Sequence, residues 1–270
     1  MQTFVPGDSI VVKTKEKTYT GIVMPNENTD AFVLKLESGY NVGIEKEHIL
    51  EAKLLKKQKK APKKEKQQTK KDPKKPIIVI LHTGGTIASK VDYSTGGVVA
   101  KFGPEDLLEL VPELKNMANV ETDLLMNKMS EDLSFEDYQT MIKGIKKYLD
   151  KDVAGIIIGH GTDTLAYSAA ALSFALENIN IPVLVVGAQR SSDRGSTDAV
   201  LNIMSAAYFI LNSDFAGVAV CMHESTNDDA CLILPACKTR KFHTSRRDAF
   251  RAVNDSPIAR VKVKEKKVDW

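Results

Sequence analysis

Apolar and polar positions change rhythm twice along this chain. Early on, "DSIVVKTKEKTYTGIVMP" and, after an Asn/Asp turn cluster, "TDAFVLKLESGYNVGIEKEHILEAKLL" alternate apolar with polar residues, as half-buried strands do. Gly7, Gly21, Gly39 and Gly43 punctuate these short runs, which predict a small all-β barrel of the SH3-like kind over residues 1–55. Then "KKQKKAPKKEKQQTKKDPKK" loses all apolar periodicity, and Pro62, Pro73 and Pro76 interrupt any helix. Like charges at this density repel and stay solvated, so residues 56–75 read as a disordered Lys-rich linker.

From residue 76 the pattern becomes strand, turn, helix. "PIIVILHTGG", "DVAGIIIGHGTD", "IPVLVVGAQRS" and "FAGVAVCMHES" read as apolar strands. "SFEDYQTMIKGIKKYLD", "TLAYSAAALSFALEN" and "TDAVLNIMSAAYFIL" read as helices, the first with Ser134 as N-cap and Asp137 close to a capping box. "GPEDLLELVPEL" is also expected to begin as a helix, with Glu105 and Asp106 at the positive end of its dipole. Such alternation predicts an α/β domain over residues 76–270, its parallel sheet covered on both faces. Ligands then belong at the carboxyl ends of the strands.

Composition narrows the partners. The overall charge of +3 hides twelve lysines between residues 53 and 75 against Glu65 and Asp72, leaving the rest of the chain near −7. The basic segment suits RNA phosphates as well as a plain linker. No apolar run approaches the ~20 residues that span a bilayer, and "MQTFVPGDSIVVKTK" lacks the basic-then-apolar pattern of a signal peptide. A cytoplasmic protein without membrane contact is expected. Cys221, Cys231 and Cys237 have no metal-ligand spacing, and Cys221 reads as a buried thiol.

Three polar clusters follow strands: "HTGGTIA" (82–88), "GHGTDTL" (159–165) and "GAQRSSDRGSTDA" (187–199). "TGGT" lacks both the Walker lysine and the dinucleotide spacing, and His160 reads as a structural histidine. No H-x-E or C-x-x-C pattern points to a metal. If the ends of two strands lie side by side, Thr86, Thr162 and Asp163 share one cleft. A threonine hydroxyl attacks only when a neighbouring base draws off its proton. A lysine held by a carboxylate can serve as that base, and "KTRKFHTSRRDAF" offers Lys238 and Lys241. Spacing alone does not choose between them. Thr83 is expected to be a turn residue whose hydroxyl satisfies local backbone groups.

"TGGTIA" followed by "HGTDT" resembles the L-asparaginase/glutaminase family, which uses threonine as nucleophile. The N-terminal barrel, the linker, "GAQRSSDRGSTDA" and "HTSRRDAF" resemble, more narrowly, the D subunits of archaeal glutamyl-tRNA(Gln) amidotransferases. The resemblance implies a three-layer asparaginase-type α/β fold after the barrel. It implies Thr86 as primary nucleophile and Thr162, Asp163 and Lys241 as the second catalytic group. Lys241 is preferred because the family's lysine stands nine residues before a phenylalanine, as Lys241 does before Phe250. Tyr93 matches the tyrosine of a mobile substrate-covering loop, and Ser130 and Glu131 match the positions that hold the amino-acid carboxylate and amine.

The implied reaction is attack of Thr86 on the carboxamide of L-glutamine, release of ammonia, and hydrolysis of the acyl ester to glutamate. The ammonia would pass to an E subunit that spends ATP with Mg on Glu-tRNA(Gln). No cofactor or metal is expected in this chain, and self-association through the α/β domain is expected. The family's second, smaller α/β domain has no counterpart before Trp270, so the chain is expected to be C-terminally truncated and possessed of only part of the pocket. The rival expectations are a free-standing L-asparaginase/glutaminase and an inactive tRNA-binding scaffold.

Overall fold

The computed structural model describes residues 4–5, 7–24, 31–36, 41–57, 72–85, 87, 90–92, 97–99, 111–190 and 197–270. Two compact units emerge, Met1–Thr69 with Val91–Val98, and Lys70–Lys90 with Val99–Trp270.

The first unit holds strands β1 (Ser9–Thr14), β2 (Thr18–Val23), β3 (Ala31–Leu36), β4 (Asn41–Glu45) and β5 (Ile49–Lys56). They pair antiparallel in the order β4-β3-β2-β1-β5, with register shifts where β5 meets β1. Phe4, Ile10, Val12, Val23, Leu34 and Ile44 fill one side as a small core. This is a barrel-like all-β unit. Its glycines do not all mark turns: Gly21 lies inside β2 and Gly43 inside β4, and Gly39 is outside the described residues. The linker segment 58–71 is also outside them. A short ribbon pairs β7 (Lys90–Asp92) with β8 (Gly97–Val99).

The second unit is a sheet of eight strands. It comprises β6 (Ile77–Gly84), β9 (Asn119–Lys128), β10 (Gly155–Gly159), β11 (Pro182–Val186), β12 (Gly217–His223), β13 (Cys231–Pro235), β16 (Ala259–Lys262) and β17 (Lys267–Asp269), in the order β17-β16-β13-β12-β11-β10-β6-β9. Helices α1 (Leu114–Met117), α2 (Phe135–Leu149), α3 (Leu165–Ala175) and α4 (Ala199–Leu211) complete it. Alternation along each central strand sends side chains to two cores. Ile78, Ile80, Leu184, Val186 and Ala219 pack under α4, whereas Val79, Leu81, Ile156, Ile158 and Val185 pack under α2 and α3. Strands buried on both faces favour apolar residues at nearly every position, which is why their runs are long and nearly continuous.

Two expectations are corrected. The sheet is mixed: β9, β6, β10, β11 and β12 run parallel, but β13, β16 and β17 continue it antiparallel. Only a short polar loop joins β12 to β13, too short for the crossover that a parallel neighbour requires. Of the helix expected over residues 103–114, residues 103–110 lie outside the described residues, residues 111–113 are a turn rather than helix, and the single turn of α1 starts only at Leu114. The α2 start is as read: Ser134 and Asp137 form a reciprocal capping box. Among the described residues no helix is long and apolar enough to cross a membrane.

Candidate active site

Parallel pairing of β6, β10 and β11 brings the turns after them to one edge of the sheet. Thr83 is not itself in a turn. It is the penultimate residue of β6, fully covered, and its Oγ1 donates 3.1 Å to the Gly159 carbonyl on the neighbouring strand. Its hydroxyl therefore stitches two strands together, a contact across 76 residues that no local pattern announces.

At the end of β6 the chain turns through Gly84 and Gly85, whose φ values are +110° and +74°. These belong to the region that glycine enters without steric cost. A Cβ on Gly85 would sit 2.4 Å from Gly161 Cα, so the backbone after β6 lies directly against the backbone after β10. Thr86, the next residue, lies outside the described residues, as does Tyr93.

The turn after β10 holds Thr162, buried, and Asp163, whose side chain is 60% exposed. Lys241 reaches them from the end of a ribbon formed by β14 (Thr239–Lys241) and β15 (Phe250–Ala252). Its Nζ donates 2.8 Å to Thr162 Oγ1 and 2.9 Å to Asp163 Oδ1, with the lysine side chain only 12% exposed. Lys238 instead sits exposed in the 3-10 turn before β14. The structure thus brings Thr162, Asp163 and Lys241 into one hydrogen-bonded group.

Ser130 abuts the same turn. It is buried, its Oγ accepts 3.2 Å from the Asp163 amide, and its carbonyl accepts 2.7 Å from Thr164 Oγ1. Glu131 is exposed on the same 3-10 turn, Ser130–Asp132. Just beyond, Lys128 Nζ bridges both Asp137 oxygens at 2.9 Å, fixing the chain between β9 and α2.

Several residues of the site went unrecognised in the sequence. Gln189 accepts 3.1 Å from Thr162 Oγ1 and donates 2.9 Å to the Arg246 carbonyl. Fully buried Asp198 accepts from the Gln189 and Arg190 amides at 2.9 and 3.0 Å. Behind it, Asn202 donates to the Gly187 carbonyl and meets His223 Nδ1 at 2.5 Å. Burial disfavours the charged form of His223, but Cys231 and Asp228 beside it outweigh this and hold its pKa above the usual histidine value. Cys221 is fully buried and its thiol pKa is pushed up by that burial.

Two histidines near the strand ends are neutral by burial. His160 has its pKa pushed down to about 4; its Nδ1 lies 2.7 Å from the Gly161 carbonyl, which can only accept, so Nδ1 carries the proton. His82 is likewise pushed down to about 4 by burial, and among the described residues neither of its ring nitrogens has a hydrogen-bond partner.

What the arrangement offers chemically is a lysine amine locked against a threonine hydroxyl and a carboxylate, beside a glycine turn that leads into another threonine. The family profile described as "Asparaginase, N-terminal" matches residues 77–270, and that of the "GatD N-terminal domain" matches residues 4–55. Three relatives, each a D subunit of glutamyl-tRNA(Gln) amidotransferase, illustrate the sequence similarity. That of Methanococcus maripaludis is 44% identical over 98% of this chain and 63% of its own length. That of Archaeoglobus fulgidus is 45% identical over 100% and 63%, and that of Pyrococcus furiosus 46% over 93% and 58%. The chain therefore spans somewhat under two thirds of the length of these relatives. Among solved structures, the thermostable L-asparaginase from Thermococcus kodakarensis superposes with a TM-score of 0.62 at 31% identity, over 72% of this chain and 55% of that one. A probable cytoplasmic L-asparaginase from Campylobacter jejuni gives 0.61 at 28% identity, over 73% and 57%. The chain belongs to the asparaginase family and carries, ahead of its asparaginase domain, the N-terminal domain of the amidotransferase D subunits.

Proposed function

We propose that this chain is the glutaminase part of a tRNA-dependent amidotransferase. Thr86 Oγ attacks the side-chain carboxamide carbon of L-glutamine, and the Thr162–Lys241 pair receives the proton that the hydroxyl loses. Collapse of the tetrahedral intermediate expels ammonia and leaves a glutamyl ester on Thr86. Water, activated by the same pair, hydrolyses the ester to glutamate. Asp163 keeps the lysine pointed at Thr162, Ser130 and Glu131 lie where the amino-acid end of the substrate is held, and Tyr93 covers it. Ammonia passes to an E subunit in the cytoplasm, which uses ATP and Mg to convert Glu-tRNA(Gln) to Gln-tRNA(Gln), and copies of the chain associate through the α/β unit.

The observation that carries the reading is the Lys241–Thr162–Asp163 group on the turn that packs against Gly85, one residue before Thr86. The amidotransferase relatives and the N-terminal domain they share with this chain support glutamine as substrate. The asparaginases among solved structures support asparagine as the alternative. Ammonia release is measured with each amide on the full-length natural protein with its partner, in wild type and Thr86→Ala. Faster turnover of glutamine, lost in the variant, is expected. Undiminished release by Thr86→Ala refutes the nucleophile, and a preference for asparagine refutes the amidotransferase reading.

A further inference from the structure

His223 is the last residue of β12, and its buried ring meets α4 on one side and the loop between β12 and β13 on the other. Asn202, on α4, fixes the first side. Its amide nitrogen donates 3.0 Å to the Gly187 carbonyl and lies 3.4 Å from an Asp198 oxygen, and both of these groups only accept. The Asn202 oxygen is therefore the atom that faces the ring at 2.5 Å, so His223 Nδ1 carries a proton. On the other side Nε2 stands 3.2 Å from Asp228 Oδ1, which already receives 2.8 Å from Arg247 Nη1. A carboxylate accepts as well. Acceptors at both nitrogens are satisfied together only by the doubly protonated ring.

The charged and titratable groups around this ring come from several elements. They are Asp228 from the loop, Cys231 on β13 with Sγ 3.9 Å from Nδ1, Asp198 at the head of α4, and Arg247 beyond Asp228. Cys221, earlier on β12, donates instead to the Asn202 carbonyl, and Glu224, the next residue, is turned to Arg260. Burial opposes the charge, but Cys231 and the two carboxylates outweigh it and hold the pKa above the usual histidine value. A neutral ring sets the Nε2 lone pair against the carboxylate. Asp228, whose side chain is 57% exposed, is then free to swing towards water. Arg247 loses its fixed partner, and Arg247 stands in the loop between Lys241 and Phe250.

We propose that His223 is a positioning residue whose protonated ring holds Asp228 and, through Arg247, the loop that follows Lys241, and that loss of the Nε2 proton to solvent releases this hold. The proposal deepens the functional reading and rests on Lys241 as a working group of the hydrolysis. It assigns His223 no contact with substrate.

The test uses Asp228→Asn, which removes the carboxylate, and His223→Gln, a neutral side chain that cannot donate to Asn202 and Asp228 at once. Both are made in the full-length natural protein. In the first arm, NMR of carbon-13-labelled histidine follows the titration of His223. Its midpoint falls by about one pH unit or more in Asp228→Asn, as loss of a hydrogen bond between charged groups requires; an unmoved midpoint overturns the pairing. In the second arm, hydrogen–deuterium exchange of the segment 242–249 is compared between His223→Gln and wild type at each pH, so that the intrinsic pH dependence of exchange cancels. The variant exchanges about fivefold faster below the wild-type midpoint and at the wild-type rate above it. Faster exchange at every pH marks a merely structural role, equal exchange at every pH means that the ring holds nothing, and either result overturns the proposal. Asp228→Asn, altered at an exposed position, is expected to show the same convergence. Glutamine kinetics form the third arm, with kcat of His223→Gln below wild type under the midpoint, equal to it above, and KM unchanged. Wild type that fails to hydrolyse glutamine overturns the functional reading, and the first two arms then decide the role of His223.

Discussion

Replacing His82 with leucine should make the α/β unit less sensitive to acid without weakening it at neutral pH. His82 is 2% exposed, sits on β6 just before the glycine turn, and has no hydrogen-bond partner at either ring nitrogen among the described residues. Burial lowers its pKa from 6.5 to about 4. A base whose folded-state pKa is depressed favours folding while it is neutral. Its contribution is fully present above the unfolded pKa and is lost as pH falls through the folded one. Over the whole window this amounts to roughly 3 kcal/mol, of which about 2 kcal/mol is lost by pH 5. Leucine does not titrate, and it sacrifices no hydrogen bond seen among the described residues. At pH 7.5 the variant should match or exceed wild type. Urea unfolding at pH 7.5 and 5.0 measures the difference, with Trp270, the single tryptophan, as a reporter whose ring lies tilted against Phe209, 5.5 Å between centroids, in the same unit. His223, whose pKa is raised, has the opposite sign: the stability it adds is present at low pH and lost as pH rises through its folded pKa. It is common to both proteins and cancels in the comparison. The carboxylates of Asp137 and Asp248, with lowered pKa values, act below the window. Equal loss of stability between pH 7.5 and 5.0 in wild type and His82→Leu would refute the reasoning.

Lys241→Met should leave the fold intact, judged by circular dichroism, and, if the proposed proton-transfer role holds, slow amide hydrolysis by at least about a hundredfold. Gly85→Ala forces a side chain into φ +74° and a 2.4 Å contact with Gly161. Its urea midpoint should report a loss of more than about 2 kcal/mol, while Gly43→Ala, with nothing within 4 Å of the added carbon, should change stability by less than about 0.5 kcal/mol. Asp198→Ala removes the acceptor of the Gln189 and Arg190 amides in a fully buried place. A cost of about 2–4 kcal/mol in equilibrium unfolding is expected, with hydrolysis falling as the Gln189 turn loosens.

The elements easiest to read from the sequence were those for which burial leaves little choice of residue. β6, β10, β11 and β12 are covered on both faces, so each is apolar over most of its length, and α2 carries its own start signal in Ser134 and Asp137. β9 escaped because it is an edge strand with Glu121, Asp123 and Lys128 among its side chains, which a one-sided strand tolerates and a core strand does not. The antiparallel extension escaped because β16 and β17 are only a few residues long and charged on alternate positions. The nine-residue interval between Lys241 and Phe250 has a structural cause. The two face each other across the β14–β15 ribbon, and that pairing, rather than any local preference, distinguishes Lys241 from Lys238. Gln189 could be noticed but not understood, since its partners Thr162 and Arg246 come from loops 27 residues before and 57 after it.

The candidate site is assembled from two separately anchored pieces, and this decides which distances are vulnerable. Thr162 and Asp163 stand on the turn of β10, between β6 and β11, held by Ser130 and by the packing of Gly85 on Gly161. Lys241 belongs to a two-stranded ribbon outside that sheet. The loop after it is held by Gln189 at the Arg246 carbonyl, by Arg247 on Asp228 at 2.8 Å, and by the Arg246–Asp248 pair. Asp228 in turn meets His223, which is bonded to Asn202 within the buried polar group behind Gln189. Proton transfer depends steeply on donor–acceptor distance, and the 2.8 Å between Lys241 and Thr162 is the span that joins the two pieces. Changes in the loop can therefore alter the rate without touching a reacting atom, whereas changes in the core of the sheet reach the rate only by unfolding it.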